Sequence, residues 1–174
     1  MHETAEDIAG LQQLLDRSFA SAGAHMRSII TPARRVSAED LAALVSGMRL
    51  LALATVTADG RPIVGPVDGI FHRGAFHFGS SPDSLRFRHI RSRPSVSATH
   101  LPSEKFAVTV HGRAVEVDIH GPEGAGLRRT LLKVHVPRYG AWWEEFLDSG
   151  PVYARIEAER MCTLRIAPGA SPER

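Results

Sequence analysis

The stretch LLALATVTADGRPIVGPVDGIFHRGAFHFG (residues 50–79) contains three β-prone segments separated by two turn signals. Asp59-Gly60 lies between the first two segments, and Asp-Gly in that setting is the strongest short signal for a hairpin. Arg73-Gly74 marks the second turn, and Phe76 and Phe78 beyond it share one face of a short third strand. The stretch therefore predicts an antiparallel meander of three strands.

Further strands are predicted at residues 96–101, 106–117 and 152–166. Along the middle one, the apolar positions change parity after Gly112, which predicts a bulge or bend at that glycine. Short strands linked by hairpins exclude a parallel sheet. The predicted class is mostly β with α, as an antiparallel barrel with N-terminal helices and short peripheral helices.

Thr4 and Asp7 have the spacing of a capping box before a helix predicted at residues 5–20. Ser37 can cap a second helix, whose apolar face is Leu41, Leu44, Val45 and Met48. Two short helices are predicted before residue 150, the first ended by Pro137. We interpret residues 1–174 as a single domain, with residues 1–37 as an N-terminal helical extension.

The bulk composition excludes several classes of protein. The 174 residues are 43% hydrophobic with a net charge of +2, which suits one globular domain and argues against a nucleic-acid partner. Cys162 is the sole cysteine, and no run of about 18 apolar residues suits a membrane span. The first ten residues lack the pattern of a secretion signal, so we expect a cytoplasmic protein without a membrane partner.

The segment GSSPDSLRFR (residues 79–88) combines small hydroxyl residues, a helix start and arginines. Ser81 is the expected N-cap, with Pro82 at the first helical position. Free N–H groups at a helix start favour a phosphate, to which Ser81 or Ser84 can donate and with which Arg86 can form a bidentate pair. The alternative is an ordinary capped surface helix with solvated arginines, and the residues alone leave both open.

Four short stretches follow one another along the chain: LATVTADGRP (53–62), PV (66–67), FGSSPDS (78–84) and RPSVS (93–97). Their order and spacing resemble those of the pyridoxamine 5'-phosphate oxidase-like family over about residues 41–118. YARIE (153–157) more loosely resembles the family's closing strand. The resemblance implies a split β-barrel that works as a homodimer, with FMN in a groove between the subunits.

The resemblance also implies which residues hold the cofactor. Ser84 and Arg86 match the Ser-x-Lys phosphate motif, beside Ser81 at the helix start, and Gly79 and Ser80 match cofactor contacts at a strand end. The cofactor-binding residues implied along the flavin ring are Gly65, Pro66 and Val67. Gly65, Val67 and Gly69 share one face, where glycines would admit a flat ring, although they could instead relieve barrel curvature.

Two departures from the family pattern matter. Leu85 stands where the true oxidase has a basic residue, and no Arg-x-His motif lies between Phe146 and Arg155. We therefore expect a flavin-dependent oxidoreductase acting on a small molecule, but not a pyridoxamine phosphate oxidase. FMN is the expected cofactor, and other branches of the superfamily bind a deazaflavin coenzyme or haem. The rivals are a non-catalytic carrier of such a group and a dimeric interaction module with a degenerate site.

No catalytic side chain is assigned, because the flavin ring itself would perform the electron transfer. The nine histidines show no paired metal-ligand spacing, so no metal is expected and most are interpreted as ordinary surface or strand residues. Cys162 is expected to be a buried packing residue. Trp142 and Trp143 are expected to cover the core or a dimer contact, although one could edge a ligand groove.

Overall fold

The computed structural model describes residues 3–167, so both ends of the predicted 1–174 domain lie outside the described residues. The helices in this part of the chain are α1 (Ala5–Ala20), α2 (Ala24–Ile29), α3 (Ala38–Leu44), α4 (Leu85–Ser92), α5 (Ala125–Tyr139) and α6 (Trp142–Asp148). The strands are β1 (Met48–Val56), β2 (Pro62–His72), β3 (Ala75–Ser80), β4 (Ser95–Ser103), β5 (Phe106–Val117) and β6 (Val152–Arg165).

The strands close into an antiparallel barrel in the order β1-β2-β3-β6-β5-β4, which confirms the predicted fold class. Gly60 has φ +84° in the turn between β1 and β2. Arg73 and Gly74 have φ 52° and 76°, the pair of positive values that a tight two-residue hairpin requires. Both predicted turns are therefore confirmed.

Alternate residues of the strands fill the barrel interior, as the period of two requires. Leu51, Phe76, Phe78 and Ile156 are each at most 1% exposed. Phe87 of α4 is fully buried in the same cluster, so α4 is held against the barrel by its own side chain. Buried leucines of α1 join this cluster, which makes the N-terminal helix part of the core.

The expected bend at Gly112 is confirmed. The register between β5 and β6 shifts between His111 and Gly112. A Cβ atom at Gly112 would lie 2.0 Å from the backbone oxygen of Glu157, so no larger residue fits there. The bend depends on the close approach of the two backbones.

Three local predictions about helices need correction. α2 was not predicted, and it has no side-chain cap to signal it. Met48 begins β1 instead of continuing the apolar face of α3. Pro137 lies inside α5, which runs on to Tyr139, because a proline in the last turn disrupts few helical hydrogen bonds.

α5 and α6 cover the outer face of the barrel. Leu131, Trp143 and Leu147 pack against Ile70 of β2 and Tyr153 of β6 in a second apolar cluster. The helices therefore stand over the outward residues of β2, β3 and β6. This layer forms one wall of a large pocket.

Candidate functional site

The candidate anion-binding segment, residues 79–88, begins with a turn, and α4 starts later than expected. The backbone N–H of Ser84 donates to the oxygen of Ser81 over 3.0 Å. The Ser84 side chain accepts from the N–H of Phe87 over 3.3 Å and caps α4, which begins at Leu85. The predicted cap at Ser81 is therefore wrong, because Ser84 takes that role.

Arg86 crosses from α4 to β2. Its Nη2 atom donates to the backbone oxygen of Pro66 over 3.0 Å, which fixes the guanidinium beside Gly65. Partial burial lowers the pKa of Arg86 from its ordinary value, but an arginine stays charged at neutral pH. Within the described residues no carboxylate pairs with Arg86, so its charge is available to an anion.

A small pocket of about 240 Å³ surrounds this guanidinium. Its lining residues come from β1, β2 and α4: Leu53, Thr55, Ile63, Gly65, Ser84, Leu85, Arg86 and His89. A Cβ atom at Gly65 would lie 3.4 Å from Arg86 Nη2. The structure thus brings together three of the predicted cofactor residues: Gly65, Ser84 and Arg86.

The glycines of β2 serve two different neighbours. Val67 is 7% exposed and belongs to the barrel core. A Cβ atom at Gly69 would lie 2.5 Å from Leu51 Cδ1, so Gly69 makes room for a core leucine. The interpretation that this shared face admits a flat ring along its length therefore needs correction. Only the end of the face, at Gly65, borders the small pocket.

A larger pocket, of about 650 Å³, lies between the outer barrel face and the layer of α5 and α6. Gly79, Ser80 and Ser81 line it, together with Asp68 and His77. A Cβ atom at Gly79 would lie 2.7 Å from Tyr153 Cε1, so this glycine gives space to the tyrosine ring. Six of the eight predicted cofactor residues are therefore divided between two pockets, with the turn at residues 81–84 between them, whereas Pro66 and Val67 line neither pocket.

Sequence reasoning missed most of the aromatic wall of the large pocket. The wall consists of Tyr139, Trp142, Trp143, Phe146 and Tyr153. The adjacent Trp142 and Trp143 were its only signal; both line the pocket, and Trp143 also packs in the second apolar cluster, as expected of a residue that covers the core. Trp143 is 7% exposed and Trp142 is 56% exposed.

His135 is built into this wall. Its ring stacks on Trp143 with centroids 4.3 Å apart and planes inclined by 17°. It is 4% exposed, and its Nδ1 atom has no hydrogen-bond partner in the described part of the chain. Burial lowers the pKa of His135. Burial also lowers the pKa of His77 to about 3, so both pocket histidines are neutral at neutral pH.

Several histidines are more buried than expected. His72, His77, His89, His100 and His135 are each at most 9% exposed. The Nδ1 atom of His89, for example, lies 2.9 Å from the hydroxyl oxygen of Thr55. His72, His77 and His100 lie on strands of the barrel, as expected of ordinary strand residues, whereas the buried His89 and His135 lie on α4 and α5 and depart from that interpretation.

Residues 3–167 were also compared with the requirements of a metal site, a reactive cysteine and a membrane-spanning helix. No group of three or more His, Cys, Asp or Glu side chains in this range could hold a metal ion. Cys162 is only partly buried, and burial raises the pKa of its thiol, which disfavours the reactive thiolate. None of the helices described has both the length and the apolar character needed to cross a bilayer.

Comparison with known proteins connects this geometry to a family. No curated protein sequence matches the chain. Among solved structures, it is similar to a conserved hypothetical protein from Mycobacterium tuberculosis, with TM-score 0.64 and 20% identity over 82% of this chain and 96% of the other. An FAD-binding protein from Mesorhizobium loti gives a TM-score of 0.51 and 25% identity over 72% of this chain and 90% of the other. HutZ, the heme storage protein from Vibrio cholerae, gives a TM-score of 0.53 and 19% identity over 65% of this chain and 84% of HutZ.

The family model for pyridoxamine 5'-phosphate oxidase matches residues 37–163, which include every strand but the last two residues of β6. The matched range also contains α4, Arg86 and both pockets' main walls. The chain therefore belongs to the pyridoxamine 5'-phosphate oxidase-like split-barrel family.

Proposed function

We propose that this protein is a flavin-dependent oxidoreductase that binds FMN through Arg86 and the start of α4. The observation that carries the proposal is the guanidinium of Arg86, which is partly buried, held in place by Pro66 and not paired with any acid in residues 3–167. A fixed cation beside a helix N-terminus suits a phosphate.

The residues present fit a flavin phosphate. Ser84 accepts the capping hydrogen bond and keeps its own hydroxyl hydrogen to donate. A pocket of about 240 Å³ is below the size of a site for a whole cofactor, so it suits the phosphate end only. The rest of the molecule would lie outside the small pocket. When bound, a flavin supplies the hydride or electron transfer.

We propose that the second subunit of a homodimer completes the site. Three large apolar side chains stand exposed on β1, β2 and β4: Leu50 at 59%, Val64 at 64% and Leu101 at 64%. β1 pairs with both β2 and β4, so these strands are neighbours. An apolar surface of this kind is typical of a protein interface.

Haem carriage is a second candidate, favoured by the likeness to HutZ and by two histidines in the large pocket. Haem carries two carboxylates, however, and no lining residue of that pocket is a cation at neutral pH. The charge of the large pocket therefore disfavours haem binding there.

The test is the absorption spectrum of the purified protein, followed by titration with FMN and turnover with a nicotinamide donor. A flavin spectrum and donor-dependent reduction are expected. A Soret band would replace the proposal with haem binding, and a deazaflavin spectrum would change the cofactor. Tight FMN binding without turnover would make the protein a carrier.

A further inference from the structure

The large pocket has a charge pattern that selects its ligand. Seventeen residues line it, and Asp68 is the only one that is charged at neutral pH, since His77 and His135 are neutral there. Arg86, the cation of the small pocket, does not line it. An anion entering the large pocket would lose its hydration without gaining a positive partner.

The walls favour a flat ring. Five aromatic side chains face the pocket, and their π faces attract both aromatic rings and cations. Asp68 supplies a negative charge at the same pocket, which adds to the attraction for a cation. The pocket volume of about 650 Å³ lies in the usual range for small-molecule sites.

A buried polar atom marks the same wall. His135 Nδ1 has no partner in the described part of the chain, and an imidazole nitrogen left in that state costs free energy. Such atoms are rare in folded proteins and call for an explanation such as a ligand or an ordered water. The ring of His135 is meanwhile held by its stack on Trp143.

We propose that the large pocket binds the substrate of this protein, and that the substrate is a flat aromatic molecule without negative charge, preferentially a cation. This rests on the proposed function, because the pocket is a substrate site only if a cofactor is held beside it. The turn at residues 81–84 supports this arrangement: Ser80 and Ser81 line the large pocket and Ser84 lines the small one. In this arrangement Gly79, Ser80 and Ser81, which the resemblance assigns to the cofactor, contact the substrate instead.

The test measures binding of three two-ring probes by calorimetry on the full chain: N-methylquinolinium, quinoline and naphthoate. We expect naphthoate to bind about tenfold or more weaker than quinoline, and N-methylquinolinium to bind severalfold tighter. Asp68→Asn should abolish the preference for the cation and leave quinoline unchanged. Trp142→Ala should weaken quinoline and N-methylquinolinium about tenfold, and its exposed position spares the fold.

Asp40→Asn is the matched control, because Asp40 is an exposed carboxylate on α3 that lines neither pocket. Its probe affinities should equal those of the wild type. Naphthoate binding as tight as N-methylquinolinium, or an unchanged cation preference in Asp68→Asn, would overturn the inference. So would competition between FMN and the probes, because the pocket would then hold the flavin ring itself.

Failure of this inference and failure of the proposed function are separable. FMN binding that depends on Arg86, without selectivity among the probes, contradicts only the substrate class. Selective probe binding in a protein that does not bind FMN contradicts the proposed function, and with it the assignment of the pocket to a substrate.

Discussion

Arg86 Nη2 donates a 3.0 Å hydrogen bond to the backbone oxygen of Pro66, and this bond joins α4 to β2 where the two elements border the small pocket. The helix start and the second strand are distant in sequence, yet one side chain fixes their separation. The position of a bound phosphate relative to β2 therefore depends on this contact.

Arg86→Ala should weaken FMN binding by about 1.5 to 3 kcal/mol, as expected for loss of a charge-assisted hydrogen bond. Arg88→Ala is the matched control, because it removes the same charge from an exposed position of the same helix that does not line the small pocket. FMN titration and thermal unfolding of both variants would decide. Equal affinities in Arg86→Ala and wild type would refute the role of Arg86.

Gly65→Val and Gly69→Val should act on different properties. A side chain at Gly65 meets the Arg86 guanidinium, so it should lower FMN affinity and change the melting temperature little. A side chain at Gly69 meets Leu51 in the core and should cost about 1 to 3 kcal/mol of stability through overpacking. Melting temperatures without cofactor and FMN titrations would separate them. Unchanged affinity in a folded Gly65→Val protein would contradict the placement of the cofactor.

His135→Phe should preserve the stack on Trp143 and remove an unpaired polar atom, so stability should stay equal or rise by about 1 kcal/mol. His89→Phe is the contrasting variant, because it leaves the Thr55 hydroxyl without its partner and should destabilise by about 1 to 3 kcal/mol. Urea unfolding measures both. A large loss of stability in His135→Phe would show that Nδ1 has a partner in solution.

Stability should fall as the pH drops below about 6.5. The folded-state pKa of His77 is about 3 against an ordinary value of 6.5, so the unfolded chain binds its proton first. The contribution of neutral His77 is therefore complete above the unfolded pKa and is lost toward acid, by up to about 1.4 kcal/mol per pH unit. The lowered pKa of His135 acts in the same direction.

Urea unfolding at several pH values would measure this loss. His77→Gln should make the decline shallower, whereas His25→Gln, at an exposed position of α2, should leave it unchanged. A wild-type stability independent of pH between about 6.5 and 4 would show that His77 titrates normally in the folded state.

Leu101→Glu should convert a homodimer into a monomer, because it places a charge on the exposed apolar surface of β4. Met26→Glu, at a 43% exposed site on α2, is the control and should remain dimeric. Sedimentation at micromolar concentration measures the change. A wild-type protein that sediments as a monomer when loaded with cofactor would rule out the dimer.

Local signals in the sequence predicted most of the fold. The capping box of Thr4 and Asp7 forms with both of its hydrogen bonds, of 2.9 and 3.2 Å, because all its atoms lie within one helical turn. The glycine in each predicted hairpin turn has positive φ, as such turns require. The start of α4 was predicted too early because Ser81 and Ser84 both fit a cap; the structure uses Ser84, which bonds to the N–H of the buried Phe87.

The two pockets could not be derived in the same way. The prediction that Arg86 and Gly65 lie in one site depended on a family resemblance. The spacing of apolar residues in the sequence does not indicate that α4 lies against the end of β2. To predict the large pocket, one must know which outer face of the barrel α5 and α6 cover. The apolar spacing of Leu127, Leu131 and Val134 shows that α5 has a buried side but does not say what it faces.

The order of the strands around the barrel has a consequence for how the chain acquires its shape during synthesis. β6 lies between β3 and β5 and pairs with both, from Ser80–Val152 on one side to Phe106–Arg165 on the other. Before β6 is added, the first five strands have the order β3-β2-β1-β4-β5 and therefore two unpaired edges, and such edges are prone to association with other chains. α5 and α6 are made just before β6, so the barrel closes and the large pocket gains its Tyr153 wall in the same late event.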